Sequence, residues 1–122
     1  MANSVAAQLQ APEMLTHSGS SSSTTANDAA LTSGTFTLGL ARMSSDNGRF
    51  VVLLSKATDM IAGQSDSNAA YDVFLLDRST GNHKLVSHTA GSATQACNAA
   101  STAGSISGDG AWVVFYSAAT DL

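Results

Sequence analysis

One segment of this chain occurs twice, and that repetition constrains the fold more than any other feature. Ser45-Asp46-Asn47-Gly48-Arg49-Phe50-Val51-Val52-Leu53-Leu54-Ser55-Lys56-Ala57-Thr58-Asp59-Met60 returns at an offset of 62 residues as Ser107-Gly108-Asp109-Gly110-Ala111-Trp112-Val113-Val114-Phe115-Tyr116-Ser117-Ala118-Ala119-Thr120-Asp121-Leu122, with eight of sixteen positions identical. Each copy joins turn residues to an uninterrupted apolar run. A turn and a strand recurring at a fixed long period mark a repeat architecture, whose units bury their faces against one another.

The patterning around the two copies is that of strands. Residues 35–44 alternate, with Phe36, Leu38 and Leu40 on one side and Thr35, Thr37 and Gly39 on the other, which predicts a strand with one buried face. Asn47-Gly48 then predicts a type I′ hairpin turn, one residue longer in the upstream copy than Gly108-Asp109-Gly110 downstream. Residues 49–55 are apolar almost throughout, so both faces of that strand should be covered. Two further strands are predicted at 71–77 and 83–88, joined by a turn around Ser79-Thr80-Gly81. Residues 56–70 form a long polar excursion, and 18–25 and 89–103 are loops by their small-residue composition. Glu13-Met14-Leu15-Thr16-His17 makes a short strand. No stretch keeps a helical period, so the chain is expected to be all-β, built on a four-stranded antiparallel sheet.

Composition narrows the functional classes. The net charge is −4, and the five basic residues (Arg42, Arg49, Lys56, Arg78, Lys84) are never adjacent, so the basic patch that nucleic-acid binding requires is missing. The longest apolar run, residues 50–54, is far too short to span a bilayer. Residues 1–10 have neither the basic start nor the apolar stretch of a secretory signal. Cys97 has no second cysteine to bridge.

Ile106-Ser107-Gly108-Asp109-Gly110-Ala111-Trp112-Val113-Val114-Phe115, with Tyr71-Asp72-Val73-Phe74-Leu75-Leu76-Asp77-Arg78-Ser79-Thr80-Gly81 upstream, resembles the β-propeller repeats of the TolB-like family. The resemblance covers residues 43–122. It implies one complete blade at 35–88, a loop and the first two strands of the next blade at 89–122, and a polar segment at 1–34 holding an outer strand of a preceding blade. It further implies a piece of a larger, exported bacterial propeller that serves as a non-catalytic scaffold for a protein or small ligand. Propellers of this kind also occur as parts of prolyl-oligopeptidase-like hydrolases, and a calcium-dependent surface or adhesion protein is a third reading. The family carries a glycine after the position of Asn68, where this chain has Ala69.

Among polar side chains, Asp66, Asn68 and Asp72 are the candidate metal ligands, since closely spaced Asp and Asn oxygens can converge on a calcium ion. The plainer explanation is a loop closed by side chains bonding nearby backbone. Asp46, Asn47 and Asp109 are expected to shape turns, and the repeated Asp59 and Asp121 to make the same structural bond in both copies. His17, His83 and His88 lack ligand spacing, and no Gly-x-Ser-x-Gly nucleophile elbow occurs. Phe50 and Trp112, at equivalent positions, are expected to pack against the core. An apolar final strand, residues 111–117, with no third strand beside it would pair with another chain.

Overall fold

The computed structural model describes residues 17–28, 30–31 and 42–122. They form antiparallel β structure without a helix, and none of them belongs to a helix long and apolar enough to cross a membrane. In chain order the strands are β1 (His17–Ser18), β2 (Ser21–Thr25), β3 (Ala30–Leu31), β4 (Phe50–Ser55), β5 (Asp72–Asp77), β6 (Asn82–Leu85), β7 (His88–Thr89), β8 (Ser92–Ala96), β9 (Ser101–Ile106) and β10 (Val113–Ser117).

The centre is a four-stranded sheet in the order β3-β4-β5-β6. β4 and β5 pair along their whole length, from Phe50 opposite Asp77 to Ser55 opposite Asp72. Side chains alternate across a strand, so the continuous apolar runs fill both faces. On one face Leu53, Phe74, Leu76 and Leu85 form a cluster with Ala57, Met60 and Ala96. On the other, Val52, Leu54 and Val73 pack with Ile106 and with the partly buried Val113 and Phe115. The second face is therefore covered by the β9–β10 hairpin. Main-chain bonds join the two sheets as well, from Ile106 N to Arg42 O at 2.9 Å and from Ser101 N to Tyr71 O at 2.8 Å. At the open end of the β4–β5 pair, Arg49 grips Asp77 through two bonds of 3.0 and 2.8 Å. That guanidinium, with Ser79, holds the Asp77 carboxyl far below its usual range.

Several expectations change. The turn before β4 is not type I′: among the described non-glycine residues only Ala69 has a positive φ, and here Gly48 alone carries it, at +67°. Asn47 instead uses its side-chain oxygen to accept from Arg49 N and the Ser45 hydroxyl. Asp109 does the same for Ala111 N and Ser107, before Gly110 at φ +76°. Ser45 and Ser107 are thus equivalent, and the upstream turn has no extra residue. Gly110 must also stay small, because an added Cβ would collide with the Phe50 ring.

The composition-based loops contain strands. β1–β2 and β7–β8 are hairpins, and β9 occupies residues 101–106. Ser, Thr and Ala gave no apolar alternation there, and the main-chain ladder supplies the order instead. The outer strand predicted at 83–88 ends at Leu85, and His88 opens the next hairpin. Of the strand predicted at 35–44, residues 35–41 lie outside the described residues; Ser44 bridges Val51, and Ala30–Leu31 pair with Ser55 and Leu54. Glu13 to Thr16 also lie outside them, and His17 belongs to β1. Phe50 is half-buried against the second cluster, but Trp112 is 76% exposed. The partner sheet that covers Phe50 has no counterpart over Trp112 among the described residues.

Candidate functional site

The repeat is larger than the duplicated segment. His17, Ser21 and Asn27 correspond to His88, Ser92 and Asn98 at an offset of 71, and the hairpins have the same pairings, His17 opposite Thr25 and His88 opposite Ala96. Each hairpin is clasped to the end of its strand by identical bonds. Asn27 N donates to Asp59 Oδ1 (2.8 Å), Asn27 Nδ2 to Thr58 Oγ1 (2.8 Å), and Thr58 N to Asn27 Oδ1 (3.0 Å). Asn98, Thr120 and Asp121 repeat this at 3.0, 2.8 and 3.1 Å. The repeated acids thus make the same structural bond, to a distant hairpin rather than within a turn. Asn27 and Asn98 escaped the sequence reading because the offset changes from 71 to 62 between the two blocks, and a search at a single period misses one of them.

The residues expected to bind metal lie in the loop before β5 and at its start. Asp66 Oδ1 accepts from Asn68 N (2.9 Å), and Asn68 Oδ1 accepts from Ala70 N (2.6 Å). Asn68 Nδ2 donates to Cys97 O, so both ends of that amide are engaged in holding the loop. Asp72 is 1% exposed. Its Oδ1 accepts from the Ser87 hydroxyl at 2.8 Å, which in turn accepts from Val73 N at 3.0 Å. Burial pushes the Asp72 carboxyl up to about 6, opposed by the Ser87 bond and reinforced by Asp66. Asp66 Oδ2 and Asp72 Oδ2 are both buried without a hydrogen-bond partner. Among the described residues no group of three or more His, Cys, Asp or Glu side chains is arranged to hold a metal.

Ala69 sits between these residues with φ +53°, a left-handed conformation costing an L-residue about 1–2 kcal/mol. Ala69→Gly removes that strain but adds freedom to the unfolded chain. The net expectation is a gain of about 0.5–1 kcal/mol, read as a higher denaturant midpoint at unchanged slope; a lower midpoint would mean that the methyl group's packing outweighs the strain.

The remaining reactive side chains are engaged structurally. Cys97 is buried, 3.2 Å from Ala99 O, 3.4 Å from Ser101 Oγ and 3.9 Å from Asp72 Oδ1. His17 meets His83 edge to face, ring centroids 4.5 Å apart, and its Nε2 lies 2.6 Å from Gly81 O. The sequence spacing of these two histidines announced nothing of this contact. His88 Nδ1 lies 2.8 Å from Thr89 O, matching His17 and Ser18 O.

Among the described residues, the most exposed large apolar side chains are on β10 and the residue before it. Trp112, Val114 and Tyr116 are 76%, 62% and 64% exposed. Their equivalents Phe50, Val52 and Leu54 lie on the face of β4 that β9–β10 covers. No family model, curated protein or solved structure matches the chain.

Proposed function

We propose that the chain is a non-catalytic repeat segment of a β-propeller of the TolB-like kind, a scaffold on which neighbouring repeats together build a surface for a protein or small ligand. The observation that carries this reading is the way the two copies stack. The Val52–Leu54 face of the first repeat lies on the Val113–Phe115 face of the second, so opposite faces of equivalent strands meet. A head-to-tail contact of this type generates a ring when its rotation closes and an open filament when it does not. A propeller is the closed form, with four to eight four-stranded blades. The test is a chain carrying residues 17–87 in about four to eight tandem copies, imaged by electron microscopy. Closed discs with a central channel are expected. Open rods that lengthen with copy number would replace the propeller by a solenoid.

A second reading, calcium binding at the loop before β5, is favoured by the two unpartnered carboxylate oxygens of Asp66 and Asp72. Oxygen donors of this kind suit a hard cation. Adding millimolar calcium should then raise the melting temperature of the wild type and leave Asp72→Asn unchanged. A wild type indifferent to calcium removes the reading.

A further inference from the structure

The turn before β4 carries a chemically labile pair. Of the six asparagines in the chain, Asn47 alone precedes a glycine, and it is exposed. When the Gly48 amide loses its proton to solvent base, its nitrogen can attack Asn47 Cγ. The N–Cγ bond forms, the bond from Cγ to Nδ2 breaks, and ammonia leaves. Water then opens the succinimide ring at one carbonyl or the other, giving aspartate or its isoaspartyl isomer. Glycine hinders this attack least, since it has no Cβ beside the nitrogen.

The folded turn engages both reacting groups. Gly48 N donates to Ser45 O at 2.9 Å, so the nucleophile is held with its proton on a carbonyl. Asn47 Oδ1 accepts from Arg49 N at 3.0 Å and from the Ser45 hydroxyl at 2.8 Å. Those two donors would stabilise charge on the amide oxygen during attack, but they also tie the amide to Ser45 and Arg49. The engaged nitrogen decides between the two effects, because without it no attack begins. The anchor itself is firm: Ser45 is buried, and its Oγ accepts from Phe50 N at 3.0 Å.

The second copy of the turn shows how each product fits. Asp109 stands where Asn47 does, and its Oδ1 accepts from Ala111 N at 3.0 Å and from the Ser107 hydroxyl at 2.5 Å. Gly110 N donates to Ser107 O at 3.0 Å, as Gly48 N does to Ser45 O. An aspartate at 47 therefore finds the same donors. Its new charge lies beside Arg49 in sequence and near Arg78, whose Nη1 donates to Gly48 O at 3.0 Å, while the neighbouring Asp46 is already paired with Arg42. An isoaspartate does not fit. Its main chain runs through the former side chain and is one carbon longer between residues 47 and 48. The bond from Gly48 N to Ser45 O then loses its register, and with it the bond of 2.8 Å from Asp46 N to Gly108 O that joins the two turns. We infer that Asn47 is a deamidation site guarded by the fold: it reacts when the turn opens, the aspartyl product refolds, and the isoaspartyl product does not.

The test keeps the whole chain in mildly alkaline buffer, once folded and once in enough guanidinium chloride to unfold it, and follows residue 47 by peptide mass spectrometry. A peptide of residues 43–52 in the native buffer supplies the unguarded rate without denaturant. Deamidation in the folded chain should be about tenfold slower or more, because it waits on local opening of the turn. After return to native buffer, aspartyl chains should resist limited proteolysis as the wild type does, and isoaspartyl chains should be cut. Asn47→Asp should keep the wild-type denaturant midpoint. Equal rates in the folded chain and the peptide, no reaction in the unfolded chain, isoaspartyl chains as resistant as aspartyl ones, or a clearly lowered midpoint for Asn47→Asp would each overturn the inference. Ring or rod formation by tandem repeats does not depend on this reaction, so the two experiments fail separately.

Discussion

Phe74→Ala is expected to cost the fold about 3–5 kcal/mol, the range for removing a fully enclosed aromatic ring. Phe74 is completely buried in β5, opposite Leu53 on one neighbouring strand and Leu85 on the other. Met60 and Ala57, from the segment after β4, close the cluster around it. The loss has two parts, the transfer energy of the ring and the cavity left between neighbours held by their own ladders. Small domains have only about 5–15 kcal/mol of stability, so the variant should unfold at far lower urea than the wild type. A loss below about 1 kcal/mol, typical of a surface position, would show that Phe74 is not enclosed as described.

The second large effect is in the pH profile, measured with chelator present to keep cations from Asp72. Its ordinary value is 3.8 and in the fold it is raised to about 6, so the folded state holds a proton that the unfolded state has released. Its contribution is therefore greatest below about pH 4, falls as the pH rises towards 6, and is flat above. The full drop is about 3 kcal/mol for a displacement of this size. Asp77 and Asp109 act in the opposite sense, since both are held below their ordinary values. Their contribution is present at neutral pH and disappears in acid, below the window that Asp72 controls. Asp72→Asn keeps an acceptor for Ser87 and removes the charge, so its stability should not fall between pH 4 and 6 as the wild type's does. The two proteins differ at Asp72 alone, so the difference between their profiles isolates that carboxyl. Parallel profiles over that window would show that Asp72 is ionised and accommodated in the fold.

Much of the central sheet was legible because its signals are local. The apolar runs at 50–54 and 73–76 can be satisfied only by strands covered on both faces, and β4 and β5 pair accordingly. The duplication likewise announced equivalent turns and strands. Sequence alone assigned the small-residue segments to loops, since Ser21–Thr25 and Ser92–Ala96 carry no apolar period and gain their order from main-chain pairing within their own hairpins. The bonds of Asn27 and Asn98 to acids 32 and 23 residues away have no local signature. Nor did the metal-like spacing of Asp66, Asn68 and Asp72 reveal that the Asn68 amide is consumed by Ala70 and Cys97 while Asp72 is buried beside Ser87. Residue type and period determine which segments must be strands and which faces are apolar. What covers those faces, and which polar atoms find partners, depends on residues far apart in the chain, so only the tertiary structure could decide that Phe50 is packed and Trp112 exposed.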